Sequence, residues 1–285
     1  MTFSAKQFAI QHPSDDHDHA HDGLNQDMEV LFRAMPDRRR LLRMLTLGAI
    51  APASLMACNS GTTDETSTTT STATTTTTSG SCSAIPSETA GPYPGDGTNG
   101  ANALALSGIV RSNIKGSLTT SAVAAGVPLT ITLKLVSQSC VNLAGYAVYL
   151  WHCDQDGNYS MYSSGVTNEN YLRGVQVADN DGNVTFSTIF PGCYSGRYPH
   201  VHFEVFPSLA QATSGSNDVK TSQFTFSNSV FSAVYASSGY SASAGNLTGI
   251  SLASDNVFSD GASLQVASTS GSESGGYTAS LQVAV

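Results

Sequence analysis

His200-Val201-His202 is the pattern in this chain with the clearest chemical potential. In an extended strand, residues two apart share a face, so both imidazoles project one way while Val201, Phe203 and Val205 pack the other way. Two ring nitrogens a strand repeat apart can hold a metal ion. Beyond Cys58 the chain has three histidines, His152, His200 and His202, so a site built from histidine alone is hard to assemble. Any metal there needs oxygen or sulfur ligands from Tyr, Asp, Glu or Cys. Glu204 continues the same strand face and is the simplest carboxylate candidate. His152 reads as a hydrogen-bonded core histidine.

The elements that must position these residues read as strands. Residues 127–136 alternate, with Leu129, Ile131, Leu133 and Leu135 on one face and Thr130, Thr132 and Lys134 on the other, a half-buried strand. Residues 146–153 are nearly continuous in apolar side chains and predict a central strand, closed by the turn-rich Asp154-Gln155-Asp156-Gly157-Asn158. Further strands are predicted over 183–190 (after Asn180-Asp181-Gly182), 200–206, 222–226, 262–267 and 278–285. With no ten-residue helical pattern between them, the fold class is all-β, a β-sandwich.

Composition agrees with this reading. Only 12% of the 285 residues are charged, and Gly, Ser and Thr are abundant. The net charge of −9, with no basic stripe interleaved with aromatics, argues against nucleic acid as a partner.

The first part of the chain reads as an address. Arg38-Arg39-Arg40, a short apolar run from Met44 and then Leu55-Met56-Ala57-Cys58 have the layout of a signal peptide. Arg38-Arg39 with Leu41-Leu42 resembles a twin-arginine signal, although Asp37 stands where Ser or Thr is usual. Leu55-Met56-Ala57-Cys58 resembles a bacterial lipobox with an atypical Met56. Residues 1–57 are therefore expected to be a discarded leader and Cys58 a lipid anchor, the only membrane attachment, on an exported cell-envelope lipoprotein. Residues 58–81, almost all Thr and Ser, are expected to be a disordered tether and 82–285 one folded domain. Cys82, Cys140, Cys153 and Cys193 permit two disulfides in three connectivities.

Several segments together resemble the intradiol ring-cleaving dioxygenases. They are Trp151-His152-Cys153-Asp154-Gln155-Asp156-Gly157-Asn158-Tyr159-Ser160, Tyr171-Leu172-Arg173-Gly174-Val175-Gln176, and Asp181-Gly182-Asn183-Val184-Thr185-Phe186. The longest run is Pro191-Gly192-Cys193-Tyr194-Ser195-Gly196-Arg197-Tyr198-Pro199-His200-Val201-His202, and Glu88-Thr89-Ala90-Gly91-Pro92-Tyr93 extends the match upstream. The resemblance implies a mononuclear, non-haem Fe(III) centre held by Tyr159, Tyr194, His200 and His202. It also implies a catecholic substrate, O2 as co-substrate and a cis,cis-muconate-type product.

By the same resemblance Tyr194 leaves the metal to accept a substrate proton, Arg197 stabilises anionic charge on the ring, and Gln223 supports the site. The stretch from Tyr194 to His200 is shorter than in many cytoplasmic members, which leaves the particular catechol open, and the oligomeric state is open too. Two other readings stand beside this one. The first is an exported β-sandwich that binds catechols or carbohydrate without turnover, and the second is a copper or zinc site of the cupin or dismutase kind.

Overall fold

A computed structural model of the protein describes residues 80–285. The twin-arginine-like leader, the lipobox with Cys58 and nearly all of the Thr/Ser stretch lie outside the described residues. Among the described residues, eight strands form two four-stranded sheets. They are β1 (Pro128–Val136), β2 (Ala147–Trp151), β3 (Arg173–Val177), β4 (Asn183–Ile189), β5 (Val201–Phe206), β6 (Lys220–Phe224), β7 (Ser268–Ser272) and β8 (Gly276–Ala284). One sheet runs β4-β1-β8-β7 and the other β3-β2-β5-β6. The β-sandwich expected from the sequence is the fold observed.

The alternation in β1 does what its side chains dictate. Leu129, Ile131, Leu133 and Leu135 are buried in the core between the sheets while Lys134 is exposed. The second sheet contributes Val148 and Leu150 of β2, Val201, Phe203 and Val205 of β5, and Phe224 of β6 to that core. Each fully buried aliphatic or aromatic side chain contributes about 1.5–3 kcal/mol. β2 and β5 are buried along their whole length. Their other faces carry Ala147, Tyr149, Trp151 and Phe206 into a second apolar cluster, roofed by Ala103, Leu104 and Ile109. The second sheet is thus covered on both sides, and the candidate His202 lies on the roofed side.

Two features of the sequence reading need correction. Residues 262–267 are turn and a single bridge at Val266, not a strand; the strand beside β8 is β7. β7 reads Ser-Thr-Ser-Gly-Ser and has no fully buried residue, so its hydrogen-bonded edge position leaves no apolar alternation in the sequence. A strand that the sequence reading omits is β3, opened by Arg173-Gly174, where Gly174 faces Leu150 of β2. A Cβ on Gly174 would collide with a methyl of Ile114 and lie 3.2 Å from the Arg111 carbonyl, so the chain packed there requires glycine. Among the described residues two seven-residue helices are α1 (Asn228–Val234), which adds Phe231 and Val234 to the core, and α2 (Ser241–Leu247).

Of the two disulfides that the four cysteines permit, the structure contains one, Cys82–Cys140, while Cys153 and Cys193 are free and buried. Burial pushes the Cys193 thiol up to about 12 and the Cys153 thiol well above its ordinary value, which keeps both protonated and unreactive. The bridge closes a separation of 58 residues, for which the chain-entropy model gives about 4 kcal/mol. Peptide mapping without reduction is expected to find Cys82 linked to Cys140, with Cys153 and Cys193 as free thiols. The paired Cys82→Ser, Cys140→Ser variant is expected to melt several degrees lower; an unchanged melting temperature would count against a stabilising bridge.

Candidate functional site

β5 and two loops build the site. β5 pairs with β2 so that His202 stands opposite Trp151, and with β6 so that it also stands opposite Gln223. His200 immediately precedes the strand. The loop after β2 is folded by Asp154, whose Oδ1 accepts the amides of Asp156 at 3.0 Å and Asn158 at 2.9 Å and whose Oδ2 accepts the Tyr171 hydroxyl at 3.1 Å. Gly157 crosses beside Tyr194 with φ +88°, and an added Cβ would lie 3.0 Å from Tyr194 Cβ. That turn delivers Tyr159. Tyr194 follows Cys193, whose amide donates to Ser243 Oγ at 2.9 Å and whose carbonyl accepts Asn246 Nδ2 at 2.8 Å, both on α2.

Four side-chain donors converge. His200 Nε2 and His202 Nε2 are 3.0 Å apart, Tyr159 Oη is 3.3 Å from each, and Tyr194 Oη is 3.3 Å from His200 Nε2. At these spacings the four side chains could share one cation at ordinary ligand distances, about 2.0–2.2 Å. His200 Nδ1 lies 2.7 Å from the Tyr198 carbonyl, which can only accept, so the proton sits on Nδ1 and the Nε2 lone pair faces the cluster. The His202 ring is held differently. Its Nδ1 has no hydrogen-bond partner among the described residues, and the ring stacks on Trp151 at 4.9 Å and 6°.

Electrostatics suit a cation. Burial, then the nearby Arg197 charge, holds His200 well below its ordinary pKa; burial, His200 and Arg197 do the same to His202. Both rings are therefore neutral and can act as ligands. Burial raises Tyr159 well above the usual phenol range, and it pushes Tyr194 up to about 12 despite Arg197. Without a cation the phenols keep their protons at neutral pH; a hard cation at the convergence would favour the phenolates and offset their burial. No group of three or more His, Cys, Asp or Glu that could hold a metal occurs among the described residues, so a centre here requires the phenols. The residues fit a hard, oxygen-preferring ion.

The remaining sequence candidates separate into two groups. Arg197 and Gln223 join: Arg197 Nη2 donates to Gln223 Oε1 at 2.7 Å, and Gln223 Nε2 donates to the Thr89 carbonyl at 2.8 Å. His152 is a core histidine as expected, bonded to the Cys153 carbonyl and to Thr188 Oγ1, each at 2.7 Å. Sequence reasoning misses four contributors. Trp151 is legible only through its register with His202. Tyr93 packs on Tyr159 at 5.3 Å, and Arg173 fixes Tyr93 by donating to its carbonyl at 3.0 Å. Asp255 bonds Arg197 from a loop 58 residues away and leaves no local signal.

Glu204 does not join the donors. It is buried one strand repeat beyond His202 and shares a hydrogen bond with Asp96. Burial, then the Asp96 charge, raises its carboxyl from 4.5 to about 10, so it is neutral in the fold. An unfolded Glu204 ionises above about pH 4.5, so its contribution to stability is complete below that pH and is lost as pH rises toward the folded value. Glu204→Gln is expected to flatten this decline, whose limit is about 1.4 kcal/mol per pH unit for one proton. Urea unfolding at pH 5.5 and 7.5 checks this, and equal pH slopes for the two proteins would overturn it.

Comparison with known proteins supplies the wider setting. Residues 113–214 match the family model described as Dioxygenase. The intradiol ring-cleavage dioxygenase of Tetranychus urticae is 26% identical, with 71% of this chain and 94% of that one covered at a TM-score of 0.57. A second dioxygenase crystal structure is also 26% identical, with 62% and 85% covered at a TM-score of 0.52. The matched segment contains all four converging donors together with Arg197. The chain thus has the fold of the intradiol ring-cleavage dioxygenases and is similar to them in sequence, with the family model matching about a third of its length.

Proposed function

We propose that this protein is a non-haem Fe(III) dioxygenase that cleaves a catechol-type ring between its two hydroxylated carbons to give a cis,cis-muconate-type dicarboxylate. The observation that carries this reading is the convergence of Tyr159, Tyr194, His200 and His202 within 3.0–3.3 Å contacts on the roofed face of the second sheet. Ferric iron, when bound by these four side chains, supplies the Lewis acidity and electron-accepting character that make a catecholate reactive toward O2.

The protein groups divide the remaining work. Tyr159 is buried and its hydroxyl contacts both imidazoles, which makes it the fixed phenol. Tyr194 is half-buried and its hydroxyl meets His200, which makes it the phenol able to swing away. Its released oxygen is then the base that takes a catechol hydroxyl proton, a role its raised pKa suits. Arg197 sets a permanent positive charge where the ring dianion accumulates charge, and Gln223 steadies that guanidinium. Tyr93 and Tyr162 pack with Tyr159 as an apolar wall beside the donors, suited to an aromatic substrate. The residue pattern of the leader and of Cys58 supports an activity at the cell envelope, behind a lipid anchor.

Iron-loaded protein is expected to be coloured by phenolate-to-iron charge transfer and to consume O2 with a catechol. His200→Ala and Tyr159→Phe should lose iron, and activity should fall by at least about 100-fold, the upper end for loss of a merely supporting group. Metal analysis, the visible spectrum and product identification from catechol, protocatechuate and hydroxyquinol check this. An iron-replete but colourless protein, or one inert toward all three, overturns the reading.

A further inference from the structure

One buried carboxylate near the donors lies outside the segment matched by the family model. Asp255 is fully buried and accepts five hydrogen bonds. Its Oδ2 takes Arg197 Nε at 2.9 Å and the Tyr198 amide at 2.7 Å. Its Oδ1 takes the amides of Val257 at 2.8 Å and Phe258 at 3.1 Å and, more weakly, Arg197 Nη2 at 3.4 Å. Arg197 is therefore gripped along one edge by Asp255 and, through Nη2, by Gln223. The next link reaches the donors, because the Tyr198 residue whose N–H is held by Asp255 presents its C=O to His200 Nδ1.

We propose that Asp255 is a positioning residue for Arg197, its carboxylate fixing the guanidinium beside Tyr194 and the two histidines, and that it steadies His200 through the backbone of Tyr198. The functional part of this inference rests on the catechol-cleaving reading. The geometry excludes a role limited to turn formation: two amides of the Val257–Phe258 turn would satisfy a capping carboxylate, yet the same group also engages Arg197 and Tyr198. Burial opposes the charge on Arg197, but Tyr194 and Asp255 more than offset this, and its pKa is raised. A buried guanidinium deprived of its carboxylate would lose both orientation and charge compensation.

The test is a double-mutant cycle on the full chain with Asp255→Asn, Arg197→Gln and both together. Two quantities are read, kcat/KM by O2 uptake with iron-loaded protein and the melting temperature of metal-free protein. Asp255→Asn is expected to lower kcat/KM by about 10- to 100-fold in the wild-type background, as loss of a supporting group does. In the Arg197→Gln background it should change kcat/KM by less than about 3-fold, and the two melting shifts should fall short of additive. An equal drop in both backgrounds, or fully additive melting shifts, overturns the proposal.

If Asp255→Asn alone fails to fold while the double variant folds, coupling to Arg197 is established; if both fail to fold, the role is structural and the proposal falls. A wild-type protein without colour or O2 uptake would sink the catechol reading instead. The metal-free melting cycle would then still decide whether Asp255 holds Arg197.

Discussion

The site depends on β5 being buried on both faces. A strand with one wet face needs only alternate apolar residues, but here Val201, Phe203 and Val205 enter the sandwich core while His202 and Glu204 are enclosed on the opposite side. Burial keeps His202 neutral, and the ring stacks on Trp151. A slip of one residue in the β2–β5 register would exchange the two faces, placing imidazole in the aliphatic core and Phe203 among the donors. The three apolar residues on the core side of β5 hold the ligand side in register.

Enclosing that second face requires a roof, and a buried cation secures it. Arg173 donates to the carbonyls of Tyr93, Pro94 and Ser160, to Ser160 Oγ and to the Tyr149 hydroxyl. Desolvating a guanidinium is tolerable only when its N–H groups are satisfied, so the segment carrying Tyr93 and Pro94 is held where those acceptors are needed. The consequence for the site is the packing of Tyr93 against Tyr159 and Tyr162. Arg173 and Arg197 thus serve different ends. Arg173 ties together neutral acceptors, most of them backbone carbonyls, whereas Arg197 is matched to a carboxylate within reach of the donors.

What the sequence makes legible follows the range of the forces involved. The alternation of β1 and the unbroken apolar run of β2 are local patterns, and both strands form where expected. His200 and His202 share a face by strand geometry alone. β7 is lost because an edge strand with no buried residue carries no apolar signature, and β3 because Arg173-Gly174 has the composition of a turn while the pairing that makes it a strand comes from β2. Tyr159 and Tyr194 are nominated by resemblance, not by pattern; the fold then brings them to the histidines. Asp255 is invisible because its meaning lies in a contact across 58 residues, and Glu204 misleads because strand parity cannot reveal that Asp96 waits beside it.

The Cys82–Cys140 bridge has a mechanical corollary. A pull transmitted along the chain from before Cys82 passes through sulfur to Cys140 and on toward the C-terminus, so the intervening 83–139 segment carries no tension. That slack loop includes Thr89, Tyr93 and Pro94, the anchor points of Gln223 and Arg173 over the donors. For a domain hung from its N-terminal side, the covalent shortcut relieves the roof of the site of load.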